Sequence, residues 1–151
     1  MITLTPIAVV HSHRAAAEDD HWGDEVATIT LDSAFSEEVF EGIESFSHLE
    51  IIFYMHKLDP ARICRTARHP RENKAWPKVG IFAQRGRLRP NQIGHTIVKL
   101  IKREGRVLTV KGLDAIDSTP VLDIKPVFRE FLPHGEVHQP SWVSELMKKY
   151  W

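Results

Sequence analysis

Short β-patterned runs follow one another in this chain with too little sequence between them for covering helices. That excludes most α/β architectures. The runs are Thr3–Val10, Glu25–Leu31, His48–His56, Val79–Ala83, Ile93–Ile101, Arg106–Lys111 and Pro120–Pro126, either alternating apolar with polar or rich in β-branched and aromatic residues. Parallel neighbours need a crossover of a dozen or more residues, usually helical, and the connections here rarely allow one. Glu25–Leu31 alternates most cleanly, with Val26, Thr28 and Thr30 on one side and Ala27, Ile29 and Leu31 on the other. His48–His56 reads as buried on both faces. Pro6 puts the first strand at an edge or bulge, and Gly94 suggests a bulge in the fifth. Two short helices are predicted: Ser36–Gly42, capped by Ser36 and ended by Gly42, and Ser141–Tyr150, capped by Ser141. Trp142, Leu146, Met147 and Tyr150 recur along the second at helical spacing. The expected fold is mainly β, a compact antiparallel β-barrel with short helices. Residues 1–130 form the barrel domain, and residues 131–151 are a tail whose helix packs on the barrel or on a partner subunit.

The chain has 151 residues, enough to bury roughly two-thirds of its unfolded surface in one domain. No apolar run approaches the roughly 20 residues that cross a bilayer, and no signal peptide is evident. The single cysteine, Cys64, forms no internal disulfide and no thiolate zinc site; a reducing, cytoplasmic location is expected. A net charge of zero hides a strong asymmetry. Residues 1–56 carry one basic side chain, Arg14, against 11 acidic ones, whereas residues 57–111 carry 15 basic against 3 acidic. A basic third of this density suits a polyanion; alternatively, the acidic third neutralises it.

Four constellations could carry chemistry. Gly80–Gly94 runs from a strand into a loop with Arg85, Arg87, Arg89, Pro90 and Asn91. Arginine forks suit phosphate or carboxylate, and the Asn91 amide both donates and accepts, as a base edge requires. In Gly112–Pro126, Asp114 follows Gly112 at a strand end and suits a ligand, while Asp123 and Lys125 share a strand face where an ion pair would lock the sheet. His48 and His56 bracket one strand about 26 Å apart by strand rise, too far for one metal, and His56 is the better site candidate because it enters the basic loop. His11 and His13, with Asp19, Asp20, His21 and Asp24, offer imidazole and oxygen donors without diagnostic spacing, so no metal is expected. Trp22 beside them reads as a packing residue or an aromatic lid.

Several motifs occur in order: Pro6-Ile7-Ala8-Val9-Val10, Phe46-Ser47-His48-Leu49-Glu50, Gly80-Ile81-Phe82-Ala83 with Arg85, Arg89-Pro90-Asn91-x-Ile93-Gly94, and Gly112-Leu113-Asp114-Ala115-x-Asp117-x-Thr119-Pro120-Val121-Leu122-Asp123-Ile124-Lys125-Pro126. From about residue 4 to residue 128 the chain resembles the TsaA-like family, whose best-understood members are TrmO-type tRNA methyltransferases. The resemblance implies a β-barrel that dimerises and binds S-adenosyl-L-methionine. The implied activity is methyl transfer to N6 of threonylcarbamoyladenosine next to the tRNA anticodon. By motif position the implied cofactor-binding residues are His56, Lys57, Arg85, His95, Lys111, Gly112, Leu113 and Asp114, with Asp114 and Asn91 closest to the chemistry. The anticodon stem-loop would meet the basic third, at Arg65, Arg68, Arg87 and Arg89. A cofactor sensor or an RNA-binding module without methyl transfer is the alternative. The chain departs from the family pattern at Ala15–Trp22, where Pro-Arg-Gln is common, and at Gln92, where proline is common.

Overall fold

A computed structural model describes all residues, 1–151. The strands are β1 (Ala8–His11), β2 (Val26–Leu31), β3 (His48–Tyr54), β4 (Ala67–Arg68), β5 (Val79–Gly80), β6 (Ile93–Glu104), β7 (Val107–Lys111) and β8 (Pro120–Pro126), followed by helix α1 (Ser141–Met147). Six of them close into a barrel in the order β1-β2-β7-β6-β3-β8, and every neighbouring pair is antiparallel. Closure leaves no free edge. A barrel has one inside, so alternation decides the core: Val10, Ile29, Leu49, Ile51, Val98, Leu108, Val110 and Val121 are all fully buried. β4 and β5 pair apart from the barrel as a two-stranded ribbon.

Several expectations are corrected in detail. β1 starts at Ala8 rather than Thr3, since Pro6 has no N–H for the ladder. β3 is not buried on both faces: Leu49, Ile51 and Phe53 point inward, while Glu50 and Ile52 are half-buried outside. Gly94 sits in regular register opposite Phe53, and the irregularity in β6 falls instead between Leu100 and Lys102 against β7. Glycine is needed at 94 for room, because a Cβ there would lie 2.3 Å from the Phe53 ring. Only Val79–Gly80 of the fourth run is strand; Ile81–Ala83 turns as a 3-10 helix. Ser36 caps a single 3-10 turn, Glu37–Phe40, not an α-helix. Ser141 begins α1 without capping it; Pro140 holds that position, and no side chain caps the helix. The Lys125–Asp123 ion pair forms.

The register fixes where the loops emerge. His11, Val26, Tyr54, Ile93, Lys111 and Pro120 all stand at one rim. Segments 12–25, 55–92 and 112–119 therefore leave and return there. The opposite rim carries segment 32–47, the β6–β7 hairpin at Gly105 and the exit from β8.

Candidate active site at one rim of the barrel

The arginine-asparagine turn and the Gly-Leu-Asp segment meet at this rim. Arg85 donates from Nη2 to the His95 carbonyl at 2.7 Å, which places two expected site residues side by side. The Thr96 hydroxyl, one residue along β6, donates to Asp114 Oδ1. The other carboxylate oxygen of Asp114 accepts from the Tyr150 hydroxyl. Burial and the Asp114 charge push the Tyr150 phenol well above its ordinary value, and the charges of Arg85 and Arg71 oppose that shift. Those four groups share one neighbourhood. Gly112 turns the chain at φ 84, a region few side chains tolerate, and its N–H is held by the Glu25 carbonyl at 2.9 Å. The side chain of Leu113 is in the core, 1% exposed, so only its backbone can meet a ligand. Lys111 is engaged with Asp24 at 2.7 Å.

His56 follows β3 into the rim. Both of its ring nitrogens are buried and have no hydrogen-bond partner. Unpartnered buried polar atoms are costly. Burial, then the Lys57 charge, lowers the His56 pKa, while Asp117 opposes them. Asp117 itself accepts from the Ser12 N–H at 3.1 Å, and that bond holds its carboxyl below the usual range. A histidine with a lowered folded pKa binds its proton more readily when unfolded. Stability should therefore fall as the pH drops through about 6.5. His56→Leu should flatten that part of a melting-temperature profile; an unchanged slope would mean another group titrates. Lys57 donates to the Ala15 carbonyl at 3.3 Å.

Asn91 is exposed at the tip of its turn. Its neighbour Gln92 is buried, bonded to the Met55 carbonyl at 3.1 Å and to the Tyr54 hydroxyl at 3.2 Å. Gln92 has φ 52, which the proline of the family pattern cannot adopt, its ring fixing φ near about −65°. The turn is therefore held here by a glutamine amide.

Segment 12–25 is organised by Arg14, a residue the sequence did not single out. Its guanidinium lies 4.1 Å from the Trp22 ring centroid, pairs with Glu25 at 3.0 Å and donates to the Asp20 carbonyl at 2.7 Å. Trp22 is 3% exposed, a packing residue rather than a lid. Asp20 is bound by Arg71 at 2.8 and 3.2 Å, and that guanidinium lowers its pKa. The acidic and basic thirds thus partly neutralise each other within the chain. Beside this contact, Arg62, Arg68, Arg71 and Arg87, with Asp19 and Glu72, line a cavity of about 220 Å³. Arg62 and Arg68 share the single carboxylate of Glu72, and Arg87 donates to the Ala17 carbonyl at 3.2 Å. Arg65 is exposed. Arg89 is half-buried and braces its own loop through the Gln84 carbonyl at 3.0 Å. No three His, Cys, Asp or Glu side chains gather where they could hold a metal ion.

A closed six-stranded antiparallel barrel with one polar, arginine-rich rim is an architecture distinct from the doubly wound nucleotide folds. The chain belongs to the tRNA-methyltransferase O N-terminal domain family, whose model matches residues 12–131. It is 35% identical over 140 residues to a probable S-adenosyl-L-methionine-binding protein of Pyrococcus abyssi, covering 87% of this chain and 71% of that one. It is 42% identical over 99 residues to the human tRNA (adenine(37)-N6)-methyltransferase, covering 66% of this chain and 22% of the human one. For the Escherichia coli protein of the same name the figures are 40% over 98 residues, 61% and 41%. The chain thus spans well under half the length of these two methyltransferases. The crystal structure of TrmO from Pseudomonas aeruginosa superposes with a TM-score of 0.73 at 26% identity, covering 91% of this chain and 61% of that one.

Proposed function

We propose that this protein binds S-adenosyl-L-methionine at the rim and methylates N6 of a tRNA adenosine, threonylcarbamoyladenosine beside the anticodon. The observation that carries it is the junction of the two diagnostic segments through Thr96, Asp114 and Arg85. The unpartnered nitrogens of His56 fit such a ligand, which is rich in hydroxyl, amine and carboxylate groups. When bound, the cofactor supplies a methyl group on a sulfonium, whose in-line transfer depends on alignment more than on acid–base power.

The chain's own residues provide that alignment. Asp114, with one donor on each oxygen, keeps lone pairs for a hydroxyl or ammonium. His56, with its lowered pKa, offers a neutral donor and acceptor. Arg85, Lys57, Lys111 and the backbone of Gly112 and Leu113 complete the cofactor wall, with His95 behind Arg85. Asn91, exposed and amide-bearing, reads the base. Arg62, Arg68, Arg71 and Arg87 meet RNA phosphates, and a cytoplasmic location follows from the tRNA substrate. A second copy covers the outer face of β6, where Ile93, Ile97 and Ile101 are 36%, 44% and 47% exposed. Ile97→Glu should turn a dimer into a monomer in sedimentation.

The test is incubation with cofactor and total tRNA, followed by mass analysis of the nucleosides. A cofactor-dependent gain of one methyl group on an adenosine derivative is expected. Cofactor binding by calorimetry with no product from any tRNA would make the protein a binding module. tRNA affinity should fall steeply with salt. Arg62→Ser with Arg87→Ser should flatten the log–log slope by about 0.7 for each phosphate that is no longer neutralised.

A further inference from the structure

Residues 141–151 lie outside the matched family region, which ends at residue 131, yet they return to the working rim. The chain leaves β8 at the opposite rim, so segment 127–140 spans the barrel to bring them back. The His21 and Trp22 N–H groups donate to the Lys149 and Tyr150 carbonyls at 2.8 and 2.7 Å. The Trp76 indole donates to Glu145 at 2.8 Å. Gly23 leaves room for this segment, since a Cβ there would lie 2.6 Å from the Trp151 carbonyl carbon. Tyr150 packs edge-on to Trp151 at 4.8 Å between centroids, and its hydroxyl ends on Asp114.

We propose that Tyr150 is a positioning residue for Asp114, and that segment 141–151 is the outer wall of the cofactor site. A carboxylate on a short side chain turns freely about its last torsion unless both oxygens are engaged. Thr96 takes one oxygen from the barrel side, and Tyr150 takes the other from the returning segment. Together they fix the plane of the carboxylate and the directions of its remaining lone pairs. A tyrosine hydroxyl in this setting keeps its proton across the working pH range, so it always donates to Asp114. The segment is more than a latch, because its backbone is pinned at residues 149 and 150 immediately beside the contact. The inference rests on the reading that Asp114 meets the cofactor.

A double-mutant cycle on the full chain tests it, with S-adenosyl-L-methionine titrated by calorimetry. Tyr150→Phe removes one hydroxyl and keeps the ring, so folding should survive and can be verified by circular dichroism. Its affinity should fall about tenfold, the range for a hydrogen bond to a charged group. In the Asp114→Asn background, Tyr150→Phe should add almost no further loss. An equal loss in both backgrounds would mean the segment acts independently of Asp114 and would overturn the proposal. No loss from Tyr150→Phe, or tighter binding, would overturn it too, the latter marking the segment as a cover. Asp114→Asn without effect would sink the site reading itself, an outcome separable from the others.

Discussion

Asp114→Ala is expected to keep its barrel and to lose cofactor affinity by at least about 100-fold, or ~3 kcal/mol, the scale of deleting one member of a charged hydrogen-bonded pair. The substitution removes the acceptor shared by Thr96 and Tyr150, leaving two donors without their partner. Thr96 is 5% exposed, so it cannot simply turn to water, and a modest drop in melting temperature should accompany the binding loss. The core is built mainly from the inward residues of the six barrel strands, joined by Leu113 and Ala115 on either side of Asp114; none of these is changed, so the far-ultraviolet spectrum should be unchanged. Calorimetry with wild-type affinity would remove Asp114 from the site.

Gly94→Ala should be the most damaging single-methyl change in the barrel. The added carbon would sit 2.3–2.9 Å from three Phe53 ring atoms, and Phe53 is itself 4% exposed in the core. Overpacking of this kind costs about 1–3 kcal/mol, which for a domain of this size lowers the melting temperature by roughly 2–12 °C. The neighbouring control is Gly80→Ala, where a Cβ meets nothing within 4 Å and the midpoint should barely move. Equal stability of the two variants would mean that Phe53 swings aside at little cost. Because Gly94 directly precedes His95 and Thr96 in β6, the damage should also reach cofactor binding.

The barrel was legible because each strand sees one interior. The alternation in 26–31 appears unaltered as Ala27, Ile29 and Leu31 inside, and the Gly-Leu-Asp and arginine segments both reach the start of β6. What stayed hidden was geometry without a local signature. Arg71, Glu72 and Gln92 take positive φ, yet none is a residue that announces a left-handed turn. Arg14 stood out only as the lone cation of an acidic third. Its role needed Trp22 and Glu25 folded around it, and an arginine followed by tryptophan and glutamate within one loop is the faint signal that was there. Tyr150 read as one more apolar position on a helix face. Its contact with Asp114 spans 36 positions, a separation at which periodicity says nothing.

The division of labour between the two rims has an evolutionary corollary. The candidate site hangs from the end where β3 finishes, and the seven residues of that strand put the other end about 20 Å away by strand rise. Extra sequence spliced in at 32–47 or at the Gly105 hairpin would grow outward from the rim opposite the candidate site. Such a barrel can acquire appendages on that side without disturbing the loops of the other rim.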